Sequence, residues 1–451
     1  MSNMIFKKTK FPVIIGLIVI FFFGEIAISF SDKTDRNSVV SDENYSFALN
    51  LENSDTDFEQ SQYIDRLFES FIKRYNIKGA SVAVTKDEKL VYAKGFGMAN
   101  EETGENVQPG HLFRLASVSK LITSVAVMHM VETGVISLDE KVFGSDGILN
   151  GEIFLNYKDS RYEEITVSQL LNHTSGWSRR NGDPLFNSRY INFRMKDVET
   201  DELSKIISYE LRKKLRYAPG TVYSYSNLGY AVLGKIIEQK AGLDYEDYVV
   251  MNILKPLGIN DMHIGKSLYH EKFLNEVRYY EPAGSSKCLP FDGTDRMVSK
   301  SYGGNNIPLI GAAGGWLASA PELTKLICSI DGYNQVPDFL DSLSVYSMAD
   351  PKVAGKGLYG WRGSDQHGTW WRTGTLSGTS AFVMRMENGL NWVVLLNTSS
   401  YKRTRIHNKL SRTIFAASYR VKEWPDYNLF TAREDVKISP IEEIPVKNPE
   451  L

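Results

Sequence analysis

The chain of 451 residues has little cysteine or histidine, the side chains that most often bind transition metals: it contains 2 cysteines and 7 histidines. Two thiols cannot form a disulfide framework, and Cys288 and Cys328 lack the spacing of a zinc site. They could pair with each other in an exported protein, or remain as two unpaired buried thiols. The histidines form no H-E-x-x-H motif or comparable ligand cluster. We therefore expect neither a metal centre nor a cofactor.

A surplus of positive charge is also missing. Lys and Arg together number 52 and Asp and Glu 54, so the formal net charge is −2. A near-neutral chain without a basic stripe gives no support for nucleic-acid binding. Hydrophobic residues make up 42% of the chain and charged residues 24%, which is the balance of a globular protein.

The one long apolar run lies at the N-terminus. Three lysines within residues 7–10 precede a run over residues 11–24, FPVIIGLIVIFFFG. A basic region followed by a short apolar core is typical of a secretion signal, and Ala27-x-Ser29 offers small residues for cleavage. The alternative is an uncleaved anchor, since residues 11–30 nearly span a bilayer; only then would the chain contact a membrane. Either alternative places the remaining chain outside the cytoplasm, in a periplasm or extracellular space.

Composition divides the chain into four parts. Residues 1–30 form the predicted signal or anchor, and the polar, acidic residues 31–60 indicate a linker. Residues 61–420 carry regular apolar periodicity and form the predicted globular domain. The proline-bearing residues 421–451 are predicted to be a tail without regular structure.

The order of the predicted elements indicates an α+β fold. A helix at residues 63–75 and a hairpin at 80–97 open the domain, and a hairpin around the Asn-Gly turn at 388–389 and a helix at 406–417 close it. Helical patterns lie between them, except in residues 177–200, which indicate a long surface loop or a substrate-side insertion, and in residues 271–310, which have no clear period. We expect one antiparallel sheet flanked by helices plus a mostly helical lobe. An active site would lie between sheet and lobe.

A candidate nucleophile lies in residues 113–134, FRLASVSKLITSVAVMHMVETG, which have the apolar spacing of a helix. Ser117 and Lys120 stand there in the order S-x-x-K. Residues three apart share one helix face, which brings the amine close to the hydroxyl. The positive end of the helix dipole disfavours a protonated lysine and favours an oxyanion. The pattern alone is weak, and it recurs in two pairs that are expected to face solvent: Ser70/Lys73 and Ser399/Lys402.

A serine nucleophile also needs a base and an oxyanion hole. The chain has no G-x-S-x-G elbow, which disfavours a standard α/β-hydrolase. Tyr225-Ser226-Asn227 precedes a predicted helix, and a tyrosinate near a lysine is a competent base because the cation lowers the phenol pKa. Tyr190-Ile191-Asn192 repeats this pattern. Arg372-Thr373-Gly374-Thr375 precedes the final hairpin, where its glycine lets a backbone N–H approach a substrate carbonyl.

Together these motifs resemble the serine β-lactamase and penicillin-binding-protein superfamily, in particular the branch of class C β-lactamases, D-alanyl-D-alanine carboxypeptidases and related esterases. Five stretches within residues 61–418 match in the expected order: LASVSK, LLNHTSG, APGTVYSYSNLGYAVLGKIIE, GAAGGWLASAPEL and RTGTLSGTSAF. The resemblance implies a β-lactamase/transpeptidase-like fold. It also implies an exported serine hydrolase that acts on an ester or an amide through an acyl-enzyme.

The resemblance assigns roles to the motif residues. Ser117 would be the acyl-accepting nucleophile, Lys120 its partner and Tyr225 the general base. Asn227 would position the substrate, and the backbone N–H groups of Ser117 and Thr375 would form the oxyanion hole. His173, within LLNHTSG, is expected to hold a loop.

The strand residues Arg372, Thr373, Gly374 and Thr375 would bind the substrate, but Arg372 departs from the family, which usually has lysine or histidine there. Arginine can bind a carboxylate bidentately and cannot shuttle a proton. The alternative is that Arg372 forms a structural ion pair.

The resemblance implies a small-molecule or peptide substrate: a D-amino-acid peptide, a β-lactam or a small ester, with peptidoglycan as one source. The alternative is a catalytically idle cell-wall-binding or sensor protein on the same fold. The intact set of Ser117, Lys120 and Tyr225 argues against that alternative.

Overall fold

A computed structural model describes residues 51–56, 58–333, 335–365, 367–399 and 405–431. The predicted signal or anchor and residues 31–50 of the predicted linker lie outside the described residues. Among the residues that are described, no helix is long and apolar enough to cross a membrane.

The strands of the described residues form two antiparallel sheets. In chain order they are β1 (Gly79–Lys86), β2 (Lys89–Asn100), β3 (Glu105–Asn106), β4 (Phe113–Arg114), β5 (His263–Ile264), β6 (Trp316–Ala318), β7 (Gly363–Ser364), β8 (Trp370–Leu376), β9 (Thr379–Arg385) and β10 (Leu390–Leu396). The large sheet has seven strands in the order β3-β2-β1-β10-β9-β8-β7, and β4-β6-β5 form the small one. Because β1 pairs with β10 from Ala80↔Leu396 to Lys86↔Leu390, the first and last hairpins join into one sheet, as predicted.

Helices cover this sheet and fill the chain between β4 and β6. In chain order they are α1 (Ser61–Tyr75), α2 (Ser119–Glu132), α3 (Glu152–Leu155), α4 (Val167–Leu171), α5 (Ser188–Arg194), α6 (Glu202–Leu211), α7 (Asn227–Ala241), α8 (Tyr245–Val249), α9 (Ala320–Cys328), α10 (Ser342–Ala349), α11 (Pro351–Ala354) and α12 (Arg405–Arg420). The structure therefore confirms the predicted α+β class and the helical lobe.

The central strands of the large sheet are buried on both faces. Val82 and Val84 of β1 pack in one cluster with α1 and α12, whereas Ala83 between them belongs to the core on the opposite face. Trp392 of β10 is fully buried and stacks on Phe68 of α1, with ring centroids 6.4 Å apart. Burial of one such side chain contributes about 2–3 kcal/mol. This apolar cluster holds α1 and α12 on one face and leaves the other for α9 and the helical lobe.

The predicted nucleophile helix begins slightly later than expected. Ser117 lies in the 3-10 turn Ala116–Val118, and α2 begins at Ser119. Because residues three apart lie on the same side in both kinds of helix, Lys120 still faces Ser117. Nearly every side chain of α2 is buried, so this helix runs through the interior of the lobe.

Three segments are more ordered than their composition indicates. Residues 177–200, predicted as a loop, contain the 3-10 turns Arg179–Asn181 and Pro184–Asn187 and helix α5. In the predicted linker, Leu51 is buried and Asn53 Nδ2 donates a hydrogen bond to the Val107 carbonyl at 2.8 Å. In the predicted tail, Leu429 N donates to the Leu90 carbonyl at 2.8 Å. These segments are ordered by distant parts of the chain, which local periodicity does not report.

Candidate active site

Ser117 lies where the helical lobe meets the large sheet. Its neighbour Ala116 has a φ of 48°, a left-handed conformation that is unfavourable for a non-glycine residue. On β8, a Cβ at Gly374 would lie 2.1 Å from the Leu115 carbonyl oxygen and 3.0 Å from Ser117 N. Glycine at this position therefore allows β8 to lie directly beside the Ser117 backbone.

Lys120, in the first turn of α2, is fully buried. Its Nζ donates to Asn227 Oδ1 at 2.8 Å and to the Ala313 carbonyl, and it lies 3.5 Å from Ser117 Oγ. Burial lowers the pKa of Lys120 to about 8; the charge of Tyr225 opposes this effect and that of Arg372 reinforces it. The ammonium therefore titrates close to neutral pH.

Tyr225 directly precedes Ser226, the N-cap residue of α7. This cap fixes the start of the helix, and Tyr225 Oη lies 2.8 Å from Ser117 Oγ. Burial favours the neutral phenol, but the charges of Lys120 and Arg372 outweigh it and lower the pKa of Tyr225 to about 7. A tyrosinate is therefore populated at neutral pH in contact with the serine hydroxyl.

Asn227 connects Lys120 to Asp183, a residue that the motifs did not indicate. Asn227 Oδ1 accepts from Lys120 at 2.8 Å, and Nδ2 donates to Asp183 Oδ2 at 2.7 Å. Both ends of the amide are therefore occupied, which fixes its orientation. Asp183 lies 44 residues before Asn227 in the segment predicted as a loop, so no local pattern identifies it.

Arg372 of β8 donates hydrogen bonds to both the candidate nucleophile residue and the candidate base. It is 1% exposed, its Nε donates to the Ser117 carbonyl at 2.7 Å, and its Nη2 donates to Tyr225 Oη at 3.1 Å. Among the ion pairs that the described residues form with carboxylates, none includes Arg372. Instead the guanidinium holds the nucleophile's backbone and places a positive charge on the tyrosine oxygen.

A cleft of about 310 Å³ opens beside Ser117. Its lining residues come from the lobe, the sheet and α12: Ser117, Arg179, Phe186, Tyr225, Asn227, Ile310, Ala313, Gly314, Arg362, Arg372, Thr373, Thr375, Leu376 and His407. The two remaining predicted residues, Lys120 and Gly374, lie behind this lining. Thr375 Oγ1 is buried and has no hydrogen-bond partner within the described residues. The structure thus brings the whole predicted set to one cleft.

His173 holds the loop before α7, as predicted. Its Nδ1 accepts a hydrogen bond from Ser226 N at 3.3 Å, and its ring centroid lies 4.4 Å from that of Tyr225. Burial, reinforced by the charges of Arg372 and Lys120, lowers the pKa of His173 well below its usual value. A neutral imidazole therefore supports the ring of the candidate base.

His407 of α12 was missed by sequence reasoning. It lines the cleft, and burial lowers its pKa to about 4, so it is neutral at physiological pH. The apolar stripe of α12 indicates only a helix that packs on the sheet, and nothing local shows that one turn reaches the cleft.

The repeated motifs do not assemble into a second site. Ser70 and Lys73 are exposed on α1, as expected. Tyr190-Ile191-Asn192 lies within α5, where Asn192 Nδ2 donates a hydrogen bond to Glu202 Oε1 at 2.8 Å. Ser399 is half-buried rather than exposed, and its Oγ accepts a hydrogen bond from Gly378 N at 3.0 Å. Its predicted partner Lys402 lies outside the described residues.

The remaining candidate ligands are separate. Cys288 is half-buried, Cys328 is buried, and both thiols are free. In the described part of the chain, no group of three or more His, Cys, Asp and Glu side chains is placed to hold a metal ion.

Comparison with known proteins gives one family. The family model described as Beta-lactamase matches residues 64–414. Beta-lactamase-like protein 4 of Dictyostelium discoideum is 26% identical over 305 residues, 64% of this chain and 49% of that protein. Protein flp of Staphylococcus aureus strain N315 is 29% identical over 233 residues, 51% of this chain and 43% of that protein. The matches thus span less than half the length of these curated relatives.

Solved structures share the fold. The D-amino acid amidase from Ochrobactrum anthropi SV3 complexed with D-phenylalanine matches with a TM-score of 0.63 and 21% identity, over 81% of this chain and 100% of that one. The octameric penicillin-binding protein homologue from Pyrococcus abyssi matches with a TM-score of 0.58 and 24% identity, over 79% of this chain and 78% of that one.

Proposed function

Because this chain belongs to the beta-lactamase family, whose members are serine hydrolases, we propose that it cleaves an ester or an amide through an acyl-enzyme on Ser117. The observation that carries the proposal is the contact between Tyr225 Oη and Ser117 Oγ at 2.8 Å. A base must lie within hydrogen-bond reach of the proton it removes and have a pKa near the working pH. Tyr225 meets both conditions, since its pKa is lowered to about 7.

Acylation would begin with proton transfer from Ser117 Oγ to the tyrosinate of Tyr225. The serine oxygen then bonds to the substrate carbonyl carbon, and the negative charge on the carbonyl oxygen faces the backbone N–H groups of Ser117 and Thr375. The bond to the leaving group breaks as Tyr225 returns the proton to it. In deacylation, Tyr225 takes a proton from water, whose oxygen attacks the acyl carbon, and returns that proton to Ser117.

Lys120 and Arg372 would supply the positive charge that keeps Tyr225 ionised between turnovers. Lys120 has its pKa lowered to about 8, so near pH 7.5 an ammonium can face a tyrosinate. Arg372 contributes a second positive charge beside Tyr225 Oη. It binds Tyr225 and the Ser117 carbonyl, so its role in the free protein is to tune the base.

The substrate proposal is broader. Structural neighbours described as a D-amino acid amidase and a penicillin-binding protein homologue favour a small amide or peptide, with D-amino-acid peptides, β-lactams and small esters as the classes to test. Residues 11–30 favour export, to the periplasm or cell exterior or to the membrane surface.

Covalent labelling tests the nucleophile directly. A fluorophosphonate probe and a labelled penicillin are applied to the wild-type protein, and the modified residue is located by peptide mass spectrometry. Ser117→Ala should abolish labelling, whereas Ser70→Ala, the matched control in an exposed S-x-x-K pair, should not reduce it. A wild-type protein that neither probe labels and that hydrolyses none of p-nitrophenyl esters, nitrocefin and D-alanyl-D-alanine peptides would favour the idle binding protein instead.

A further inference from the structure

A second and larger cavity, of about 750 Å³, adjoins the cleft beside Ser117. Most of its wall comes from residues 178–191, 209–216 and 225–228. Arg179, Tyr225 and Asn227 line both cavities. A substrate whose reacting group lies at Ser117 can therefore continue past these three residues into the larger space.

The larger cavity is rich in positive charge. The charged side chains of its lining are Arg179, Arg180, Lys213, Lys214 and Arg216, opposed by Asp183 and Glu210. This is a formal surplus of three positive charges, in a chain whose net charge is −2. The local charge therefore differs in sign from the charge of the whole protein.

Both carboxylates of this lining are already occupied. Glu210 forms an ion pair with Lys213, and Asp183 accepts the hydrogen bond from Asn227. The ion pairs of the described residues include none of the other four cations, which are Arg179, Arg180, Lys214 and Arg216. All four are exposed at the open side of the cavity, and Arg179 and Arg216 lie over the rings of Tyr225 and Tyr217, 5.6 Å and 6.0 Å from the ring centroids. Because none of the four has a carboxylate partner among the described residues, they repel one another and together attract an anionic group placed among them.

We infer that the substrate carries an anionic group, a carboxylate or a phosphate, on the part that lies beyond Asn227, held in the larger cavity by Arg179, Arg180, Lys214 and Arg216. The inference rests on the proposed hydrolase function and specifies its substrate class. The smaller cleft holds the ester or amide bond that is cleaved, and the larger cavity selects the substrate by its anionic group.

Ester series with and without a negative charge test this inference by turnover. One series carries the charge on the acyl side, as p-nitrophenyl monoesters of succinic, glutaric and adipic acids against p-nitrophenyl butyrate. The other carries it on the leaving group, as the butyryl esters of 4-hydroxybenzoate and 4-hydroxyphenylphosphonate against phenyl butyrate. In at least one series we expect a higher kcat/KM for the anionic ester, and Lys214→Glu and Arg216→Glu should each lower that preference about tenfold.

The control is Lys196→Glu: Lys196 is exposed like Lys214 and Arg216, lies between the wall segments 178–191 and 209–216, and lines neither cavity. It changes the net charge equally and should leave the preference as in the wild type. The inference is overturned if no anionic ester is preferred, or if Lys196→Glu lowers the preference as much as Lys214→Glu. Lys214→Gln and Arg216→Gln, which should give smaller losses, replace any glutamate variant whose melting temperature shows that it does not fold.

A binding measurement separates this inference from the proposed function. Ser117→Ala protein is titrated with dansyl-glutamate, dansyl-phosphoserine and the neutral dansyl-glycinamide, followed by fluorescence. We expect tighter binding of the carboxylate or the phosphate probe than of the neutral one, weakened about tenfold by an added Arg216→Glu. If no ester is hydrolysed but this binding is seen, the hydrolase proposal fails alone. If esters are hydrolysed and neither anionic probe binds more tightly, the anionic subsite is refuted.

Discussion

Replacing Arg372 with glutamine should raise the pKa of Tyr225 and move the acidic limb of the pH–rate profile to higher pH. The guanidinium Nη2 lies 3.1 Å from Tyr225 Oη; Arg372 is buried and Tyr225 is half-buried. A positive charge at this distance stabilises the tyrosinate relative to the phenol. Removing it leaves the desolvation of the phenolate opposed by Lys120 and by the hydrogen bond with Ser117.

The magnitude follows from Coulomb's law. Unit charges about 4 Å apart interact by about 4 kcal/mol at an effective dielectric constant of about 20, which corresponds to about 3 pH units. Water that enters the vacated space would screen part of the remaining field. We therefore expect an upward shift of about 1–3 pH units. Since the base acts in its deprotonated form, kcat/KM near neutral pH should fall by about the same number of factors of ten.

Two measurements follow this shift. The first is kcat/KM against pH with a p-nitrophenyl ester, corrected for spontaneous hydrolysis. The second is ultraviolet difference spectroscopy of tyrosinate formation, with Tyr225→Phe as the blank, which needs no substrate. Arg372→Lys is the matched control because it keeps the charge, and its acidic limb should lie close to that of the wild type.

An acidic limb at the same pH in Arg372→Gln and in the wild type would refute the electrostatic argument. Equal shifts in Arg372→Gln and Arg372→Lys would also refute it, because they would assign the effect to the hydrogen bond with the Ser117 carbonyl rather than to charge.

Three further predictions concern two residues beside the site, Gly374 and Asp183, and the buried Glu322 of α9. Gly374→Ala should destabilise the fold by about 1–3 kcal/mol and suppress fluorophosphonate labelling, because its Cβ would lie 2.1 Å from the Leu115 carbonyl oxygen. Urea unfolding and labelling of the same sample check both effects. Normal labelling of the alanine variant would contradict the packing argument. Asp183→Ala should lower kcat about tenfold because it frees the Asn227 amide to rotate. Asp183→Asn keeps an acceptor oxygen and should lower kcat less. Equal decreases of kcat in the two variants, measured by steady-state assays, would assign the effect to the charge of Asp183. Burial raises the pKa of Glu322 from 4.5 to about 7, so between these pH values the native state binds more protons than the unfolded chain, and the free energy of unfolding falls as pH rises. Glu322→Gln should reduce that fall by up to about 3 kcal/mol, measured from unfolding curves at about pH 5 and about pH 8. An unchanged pH dependence would show that Glu322 ionises normally.

Local signals in the sequence identified most of the large sheet. The Asn-Gly turn at residues 388–389 and the Lys-Asp-Glu-Lys turn at 86–89 both connect antiparallel strands. Asp87 and Glu88 have φ values of 50° and 62°, and Gly389 has a φ of 80°. Such turns are set by residues next to one another, so a reading of the sequence finds them.

Segments ordered by distant contacts were not identified. Residues 177–200 have no clear apolar period, yet they contain α5 and provide Asp183 and Arg179 to the site. Asp183 caps the turn Pro184–Asn187 and binds Asn227 on α7. A short helix that packs on another element takes its stability from that element, and its own periodicity is too brief to be recognised.

By itself, the sequence determined the secondary structure elements that position the site and the residue types that the chemistry needs, because helical spacing, caps and turns act within a few residues. Only the tertiary structure decided which of these residues meet. Lys120 and Asn227 are 107 residues apart, Ser117 and Tyr225 108, and Ser117 and Arg372 255. Contacts over such separations depend on the packing of α7 and β8 around Ser117. The same packing places the Arg372 guanidinium beside Tyr225, where it lowers the pKa of the candidate base, and places a cationic cavity next to the cleft.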